Sequence, residues 1–587
     1  MLKFFFNSID VKYGYIFVAL FTAIIYIPGL GGVHLFDWDE INFAESAREM
    51  LVSGDFLRVK INYEPFWEKP PLFFWFQVLC MKIFGINEFS ARLPNAITGI
   101  LTSLFIFDFA RRRYSKCFAF LWIVIHTSTL LPHFYFKSGI IDPIFNLFIF
   151  LSIISLAQFS SYKNIGETKE RVRYAFWAGI YLGLAILTKG PVALLIVLTC
   201  CLLYIIVFKT TKPFSYINSL IFAFSCFVIT FMWFGYETLK NGSWFITKFV
   251  EYQIRLFKTP DAGHAGPFFY HWIVLLLGCY PSSVFVFKGF IKNYDENPTQ
   301  KMIRFWISAS FFVVLILFSI VKTKIIHYSS YCYLPISFFA TDYLVRWMDG
   351  KKFFYIWQKI LLFVLGAIWS LASISLPILG NNIQKLTDLI KIEDQFALAN
   401  LKAQVFWTGW EAIPGIILFV SLVMFLLYSK RSIPQSVIIL YLGSLLFVQS
   451  VLYLVVPKIE RYTQGANIDF LKSLEQEDCY ICTIDFKSYA HLFYPKIKIN
   501  QNPLFNEKVK NDEMLKLCRK LTNPQDKYNC VRDWYLDGNI DKPVYFITKI
   551  DRGDWLKNKK NLKFIKEKNG FLYYKRELPT NNYTNGD

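Results

Sequence analysis

Four carboxylates stand close together in the segment FDWDEINFAE, directly after the first long apolar run of the chain: Asp37, Asp39, Glu40 and Glu45. Carboxylates at the rim of a membrane are costly unless they are paired or used. An Asp in such a place can accept the proton of a hydroxyl group or orient that hydroxyl. The alternative for Asp39 is structural, since the helix dipole favours an acid in the first turn of a helix. Apolar residues at helical spacing predict such a helix over 40–52, resting on the membrane.

Basic residues that could bind a phosphate follow at several points of the chain. Lys69 stands beside Glu68 before the apolar segment PPLFFWF, and Lys189 separates two apolar runs in LTKGP. Each has a simple alternative, because a lysine near the membrane surface also reaches water along its apolar stem. The loops EYQIRLFKTPDAGHAGPFFYHW and KTKIIHYSSY add Arg255, His264, His271, Lys322, Lys324, His327 and Tyr328.

Asp142 adds a further carboxylate in IIDPIF, at the mouth of a predicted span. Asp-Pro is also an ordinary helix start, so this residue alone favours neither interpretation. Together, the cations suit a phosphate or pyrophosphate group, whose developing charge they would neutralise as it leaves. A carboxylate would act as base towards an acceptor hydroxyl. The combination predicts group transfer from a lipid phosphate at the outer surface of a membrane.

The composition indicates what kind of chain positions these residues. Of 587 residues, 55% are hydrophobic, 19% aromatic and only 18% charged. Apolar runs of about 18 residues or more recur, which is the length that crosses a hydrocarbon core of roughly 30 Å. The net charge of +20 lies largely in short loops between these runs, where Lys and Arg set topology, so no nucleic acid partner is expected. The sequence predicts an all-α polytopic membrane protein.

The basic loops set the expected topology. Six of them, among them RRRYSK and RWMDGKK, are expected in the cytoplasm. This requires about 13 spans with the N-terminus inside. The segment 70–85 is short for a span and is expected to lie in the interface plane. The acids and cations then share the outer side, in a catalytic outer loop at 32–91, in a second loop at 235–267 and at span ends. The predicted spans cover residues 13–31, 92–110, 117–132, 143–161, 174–188, 190–208, 214–234, 268–287, 305–321, 325–345, 353–379, 405–428 and 433–456.

The transmembrane domain is therefore expected over residues 1–456, and residues 457–587 differ from it in character. This tail is polar and Lys-rich, with short β-patterned runs such as CYICTIDF and KPVYFITKI. The topology places it outside the cytoplasm, as a small α/β domain. In an oxidising compartment Cys518 and Cys530 could form a disulfide.

The same residues also resemble a known family. DWDEINFAESAREMLVSGDF, FWEKPPLFFW, NEFSARLPNAITG, IIDPIF, LTKGP and HAGPFFY occur in the order seen in GT-C membrane glycosyltransferases. The chain looks like the group related to protein O-mannosyltransferases, and most like the bacterial aminoarabinose transferases that modify lipid A. The resemblance covers roughly residues 10–345.

That resemblance implies roles for the site residues. Asp39 matches the family's catalytic acid, with Glu40 beside it, and Asp142 matches its second acidic residue. Lys69 matches the lysine that binds the donor phosphate. Glu68 and His264 resemble a pair that can hold a divalent metal such as zinc or magnesium. Further polar groups around the donor headgroup match Arg255, Lys189 and Tyr328.

The implied function is transfer of a sugar, with inversion, from undecaprenyl phosphate to lipid A, lipopolysaccharide or another envelope acceptor at the outer face of the bacterial inner membrane. A protein O-glycosyltransferase with the same donor is the alternative. A transporter or flippase would place ionisable groups near mid-bilayer in paired repeats, and a purely anchoring protein would leave the charged loops unexplained. One departure concerns the acceptor: the family continues its Asp-Glu with an Arg-Tyr pair, where this chain has Asn42 and Phe43.

Overall fold

The structure is a computed structural model that describes residues 8–161, 169–209, 215–259, 265–291, 295–389 and 391–578. Helices dominate up to residue 473, apart from a short hairpin of β1 (Lys60–Ile61) and β2 (Glu64–Pro65). The helices are α1 (Val11–Tyr26), α2 (Asp39–Ser53), α3 (Leu72–Phe84), α4 (Glu88–Arg113), α5 (Lys116–Ser128), α6 (Leu130–Phe136), α7 (Asp142–Ser161), α8 (Lys169–Lys189), α9 (Val192–Phe208), α10 (Tyr216–Asn241), α11 (Trp244–Lys258), α12 (Tyr270–Gly278), α13 (Ser282–Gly289), α14 (Pro298–Ile320), α15 (Tyr333–Met348), α16 (Ile356–Asn381), α17 (Ile383–Leu389), α18 (Gln395–Leu401), α19 (Ile413–Tyr428) and α20 (Ile433–Ser473).

Many of these helices are suited to a bilayer. Within the described residues, seven helices are long and apolar enough to cross a membrane, or up to nine if each of two bent pairs is one span. Three shorter apolar helices, α1, α3 and α9, add to them. Their apolar side chains are often exposed, as at Leu20, Leu202 and Met232, which is expected where lipid is the solvent. The polytopic membrane fold is confirmed, and the total of about 13 spans stays a prediction.

Two helix pairs bend sharply where the sequence predicts straight spans. α5 and α6 meet at 79°, and α12 and α13 meet at 113°. Pro281 interrupts the second pair, because proline has no backbone N–H and blocks a continuing helix. The two bends bind each other: Leu130 N donates to Tyr280 O (3.2 Å), and the hydroxyls of Thr129 and Ser282 are 2.6 Å apart. Irregular backbone between apolar helices is tolerated when protein buries it in this way.

The helix α2 is buried between α3 and the C-terminal part of the chain. Every residue from Glu40 to Met50 is buried. One apolar cluster joins Phe43 of α2, Phe73 of α3 and Tyr573 near the end of the chain. The expectation that this helix rests on the membrane is therefore wrong. Its sequence shows the apolar face, but the part of the protein that covers the other face lies at the far end of the chain.

A small sheet domain follows α20. Its strands are β3 (Tyr480–Ile484), β4 (Val544–Lys549), β5 (Lys563–Lys568) and β6 (Phe571–Arg576), in the order β3-β4-β6-β5. β3 and β4 run parallel, with Cys482 opposite Phe546, while β6 is antiparallel to β4 and β5. The helices α21 (Ala490–Phe493), α22 (Glu513–Lys520) and α23 (Pro524–Asp537) lie between β3 and β4 in the chain.

The C-terminal α/β domain is thus confirmed, and so is the disulfide between Cys518 and Cys530, which joins α22 to α23. The predicted boundary at residue 457 falls inside α20, which continues to Ser473. Composition changes before the helix ends, because the last part of α20 leaves the apolar region and packs against the sheet domain through Ile468 and Phe470.

Candidate active site

Five side chains of the polar loops meet at the ends of helices. Asp39 begins α2, Asp142 begins α7 and Lys189 ends α8. Lys69 lies in the loop before α3, and His327 lies in the 3₁₀ turn Ile326–Cys332 before α15. An acid at a helix start and a cation at a helix end both oppose the charge of the helix dipole. We call these five residues the acid–base cluster.

The contacts in the acid–base cluster join its two carboxylates through one histidine. His327 Nε2 lies 3.4 Å from Asp39 Oδ2 and 4.0 Å from Asp142 Oδ2. Lys189 Nζ donates to Asp142 Oδ1 at 2.5 Å. Asp142 is almost completely buried, whereas the Asp39 side chain is 32% exposed. Asp39 is therefore the carboxylate that a substrate can reach, and Asp142 is held by a lysine.

The lysines of the site lie against aromatic rings. Lys69 Nζ and the Arg255 guanidinium each lie 5.2 Å from the centre of the Tyr252 ring. Lys189 Nζ lies 5.1 Å from the centre of the Tyr328 ring. Such cation–π contacts hold a cation in place without themselves neutralising its charge. The predicted donor-binding residues Lys69, Lys189 and Arg255 therefore make three cation–aromatic contacts, two with Tyr252 and one with Tyr328.

Lys69 is half-buried, and its pKa reflects the charges around it. Burial lowers the pKa of Lys69, while the carboxylates of Glu68 and Asp39 oppose that shift and Lys189 adds to it. A phosphate bound next to Lys69 would favour its charged form in the same way as a carboxylate does.

His327 is the site residue to which the sequence pattern assigned no role. Burial lowers the pKa of His327, and the carboxylates of Asp142 and Asp39 oppose that shift. The imidazole is therefore neutral near pH 7, between two carboxylates, and can exchange a proton with Asp39. The one feature of the sequence that could have indicated His327 is its position next to Tyr328 in KTKIIHYSSY. Its contact with Asp39 joins residues far apart in the chain, which spacing does not reveal.

Glu40 does not join the acid–base cluster, although it was predicted with the catalytic acids. It forms a two-pronged ion pair with Arg92, at 2.8 Å and 3.0 Å, and both side chains are buried. Burial raises the pKa of Glu40, but Arg92 and two backbone donors outweigh it and hold the pKa below its usual range. Glu40 thus supports the loop instead of exchanging protons. The remaining bonds of the pair are to backbone: Arg92 donates to the carbonyl oxygens of Leu30, Val33 and His34, and the amides of Phe36 and Gly139 donate to Glu40.

The other two acids of the opening segment also have separate partners. Glu45 is buried and pairs with Arg48 through contacts of 2.6 Å and 2.7 Å. Asp37 accepts hydrogen bonds from the Ser488 hydroxyl and from the Tyr489 amide of the C-terminal domain. Of the four clustered carboxylates, Asp39 alone faces the acid–base cluster, and the other three have partners elsewhere.

The departure at Asn42 and Phe43 concerns packing. Both residues are 2% exposed within α2, and the Phe43 ring lies 6.0 Å from that of Phe73. At these two positions the chain therefore has packed residues where the family has an Arg-Tyr pair.

The predicted metal pair is only partly visible, because His264 lies outside the described residues. Glu68 lies beside Lys69 at the edge of the acid–base cluster. Within the described part of the chain, no group of three His, Cys, Asp or Glu side chains could hold a metal ion.

Comparisons with known proteins give one matching family and several relatives. Residues 68–233 match the family of dolichyl-phosphate-mannose-protein mannosyltransferases. Over 352 residues the chain is 26% identical to an undecaprenyl phosphate-alpha-4-amino-4-deoxy-L-arabinose arabinosyl transferase of Photorhabdus laumondii, covering 59% of this chain and 62% of the relative. A protein of the same name from Edwardsiella ictaluri is 27% identical over 57% of this chain and 60% of the relative. The matched part thus spans about three fifths of these relatives.

Solved structures show the same fold over nearly the whole chain. The structure of ArnT from Cupriavidus metallidurans bound to undecaprenyl phosphate has a TM-score of 0.72 at 17% identity, covering 96% of this chain and 98% of that one. The archaeal oligosaccharyltransferase AglB from Archaeoglobus fulgidus has a TM-score of 0.50 at 11% identity, covering 92% and 70%. The resemblance found in the sequence is confirmed: the chain is similar in sequence to aminoarabinose transferases and to the mannosyltransferase family, and it shares the fold of ArnT.

Proposed function

We propose that this protein is an integral-membrane glycosyltransferase that moves a sugar from undecaprenyl phosphate to an envelope acceptor, such as lipid A or lipopolysaccharide. The observation that carries the proposal is the acid–base cluster, in which a reachable carboxylate, Asp39, stands among cations held on aromatic rings. The names of the sequence relatives support the same donor and the same kind of reaction.

The donor phosphate would bind at the lysines. Lys69 and Arg255 both lie against Tyr252, and Lys189, which also pairs with Asp142, lies on Tyr328, so three cations stand close to one another. Charge-assisted hydrogen bonds to phosphate oxygens are strong, and they strengthen further as negative charge develops on the leaving group. The lipid tail would lie among the apolar helices. Lys69 and Arg255 then bind the leaving group, and Lys189 also fixes Asp142.

The transfer step exchanges one bond at the anomeric carbon for another. The acceptor hydroxyl oxygen forms a bond to that carbon while the bond to the phosphate oxygen breaks, and attack from the opposite face inverts the centre. The hydroxyl proton passes to Asp39, and the electron pair of the broken bond stays on undecaprenyl phosphate. His327, 3.4 Å from Asp39, orients this carboxylate and can pass its proton on.

The acceptor and the location are the finer parts of the proposal. We propose that the reaction takes place at the outer face of the bacterial inner membrane, with the C-terminal domain on the same side as the acid–base cluster. A protein acceptor is the second candidate, since residues 68–233 match a family named for protein mannosylation. The expected divalent metal at Glu68 and His264 stays part of the proposal, as added positive charge beside the donor phosphate.

The experiment has a cellular and a purified arm. Mass spectrometry of lipid A, surface glycans and envelope glycoproteins from cells with and without the gene identifies the product that disappears. Purified protein is then given the undecaprenyl-phosphate-linked form of that sugar, and transfer is followed to the same acceptor. We expect transfer to a lipid or glycan hydroxyl or phosphate. A modification found only on Ser or Thr of envelope proteins would show that the acceptor is a polypeptide. If no glycosylated product disappears when the gene is absent, the proposed function is overturned.

A further inference from the structure

The C-terminal domain reaches the acid–base cluster through one short loop. Ser488 and Tyr489 of this loop bind the carboxylate of Asp37, two residues before Asp39. Burial raises the pKa of Tyr489, and the charges of Glu68, Asp37 and Asp39 raise it further, so its hydroxyl lies within electrostatic range of the site. A domain that is distant in the chain thus forms part of the wall around the reactive carboxylate.

The surface of that wall consists of two rings and one cation. Lys487 Nζ lies 4.5 Å from the centre of the Trp38 ring and 5.5 Å from that of Tyr489. The two rings meet edge to face at 5.7 Å. Trp38 is 36% exposed and Lys487 is exposed. Within the described part of the chain, Lys487 contacts no carboxylate at ion-pair distance, so its charge is available to a ligand.

The rings and the cation fit different parts of one ligand. The C–H groups of a sugar ring carry slight positive charge and pack against the negative face of an aromatic ring, as cations do. An ammonium that is held on such a ring still presents its N–H groups to an anion. Trp38 contacts Tyr489, which lies within electrostatic range of Asp39, so a sugar on these rings would lie near the carboxylate that takes the acceptor proton.

We propose that Trp38, Lys487 and Tyr489 form the acceptor subsite, and that Lys487 selects an acceptor whose sugar carries a phosphate or another anionic group. The inference rests on the proposed function and deepens it, because it assigns the choice of acceptor to the C-terminal domain. The donor phosphate binds at Lys69, Lys189 and Arg255, and a separate cation serves the acceptor.

The test measures binding without turnover, on the full-length protein in nanodiscs. The probes are the deacylated disaccharide of lipid A with both phosphates, and the same disaccharide after phosphatase treatment. We expect Lys487→Ala to weaken binding of the phosphorylated probe about tenfold, the size of one charge-assisted contact, and to leave the other probe and undecaprenyl phosphate unchanged. Lys487→Arg should keep most of the affinity. Trp38→Ala should weaken both disaccharides.

A matched control is available in the same domain. Lys566 of β5 is exposed and lies on two rings, 5.2 Å from that of Phe470 and 5.7 Å from that of Tyr573. Lys566→Ala removes the same kind of contact away from Asp39, so both disaccharides should bind as before. In turnover, Lys487→Ala should raise the KM for the acceptor and leave kcat and the KM for the donor near those of the unaltered protein.

The inference is overturned if the unaltered protein binds both disaccharides equally, or if Lys487→Ala keeps full affinity for the phosphorylated one. Displacement of that probe by a neutral Ser- and Thr-containing peptide, with the peptide's affinity independent of Lys487, would overturn it too. Failure of the proposed function has a different signature. It would appear as an unaltered protein that transfers no sugar from undecaprenyl phosphate and does not bind this lipid, whatever the result at Lys487.

Discussion

Two charged regions meet at the start of α2, and they differ in how completely their charges are paired. In the support pairs, Glu40–Arg92 and Glu45–Arg48, both partners are buried. Arg92 makes two contacts with its carboxylate and three with backbone carbonyl oxygens. In the acid–base cluster, the contacts of His327 are 3.4 Å and 4.0 Å, and the Asp39 side chain is 32% exposed. The support region is saturated at Glu40, whose carboxylate accepts from four donors, and the acid–base cluster is open at Asp39.

The difference separates groups that hold the loop from groups that react. A buried carboxylate with all its lone pairs occupied has no capacity left for a substrate, and its charge is fixed. A carboxylate with one loose partner and access to the surface can take a proton during a reaction. Adjacent acids of similar type, Asp39 and Glu40, therefore have opposite roles because of their environment. Each prediction below changes one side of this comparison.

The largest effect is expected at Asp39. Asp39→Asn keeps shape and polarity and removes the charge that accepts the acceptor proton, so turnover should fall by roughly 10²- to 10⁴-fold. Undecaprenyl phosphate binding and the unfolding temperature should stay near those of the unaltered protein. Asp55→Asn is the matched control, because Asp55 lies in the same loop but pairs with Lys60 at 2.7 Å. Near-normal turnover of Asp39→Asn in a folded protein would mean that Asp39 is only an acidic helix start.

In the saturated support region, the main effect of Arg92→Ala should be a lower free energy of unfolding. Removal of one partner leaves the Glu40 carboxylate buried without compensation, which costs about 3–5 kcal/mol. The measurement is thermal or denaturant unfolding in detergent micelles. Arg112→Ala, on the same helix α4 but with a side chain that is 62% exposed, should change stability little. Equal stability of the two variants would show that the Glu40–Arg92 pair contributes nothing beyond a surface ion pair.

The sequence predicted which residues carry charge near the site better than it predicted how those charges pair. Length and hydropathy indicated the helices, and residue types indicated Asp39, Asp142, Lys69 and Lys189, because helix ends and loops carry such residues visibly. Their roles stay predictions. Pairing was not predictable in the same way: neither the match of Glu40 with Arg92 nor that of Asp39 with His327 follows from spacing.

The burial of α2 was missed for a related reason. An amphipathic pattern shows that one face needs an apolar partner, but it does not say whether lipid or protein covers the other face. Here the charged residues of that face pair with each other, as Glu45 does with Arg48, and the C-terminal domain closes over them through the carbonyl oxygen of Ile497. Long-range contacts of this kind require the structure.

A smaller effect on the open side is expected at Lys69. Lys69→Ala removes a charge-assisted contact to the donor phosphate, so donor binding and turnover should both fall, by about 10- to 100-fold. Lys69→Arg should recover part of the binding and less of the turnover, because a flat guanidinium does not occupy the place of a compact ammonium. Lys82→Ala, at the exposed end of α3, is the control. If donor binding is unchanged in Lys69→Ala, Lys69 does not bind the donor phosphate.

The smallest effect is expected for His327, and it concerns the pH dependence of kcat/KM. Burial lowers the pKa of His327 below its ordinary value of about 6.5, so the imidazole is neutral at pH 7 and gains a proton only on acidification. Once charged, it would bind the Asp39 carboxylate tightly and reduce its capacity to accept a proton, so kcat/KM should fall at acid pH.

His327→Gln keeps a polar side chain that cannot be protonated in this range. We expect it to reduce kcat/KM only a few-fold at pH 7, about 1 kcal/mol, and to flatten the acid limb of the profile. The measurement is kcat/KM from pH 5 to 8 for both proteins, with donor binding as a check at each end. Parallel acid limbs would assign the pH dependence to Asp39 alone and leave His327 as a positioning group.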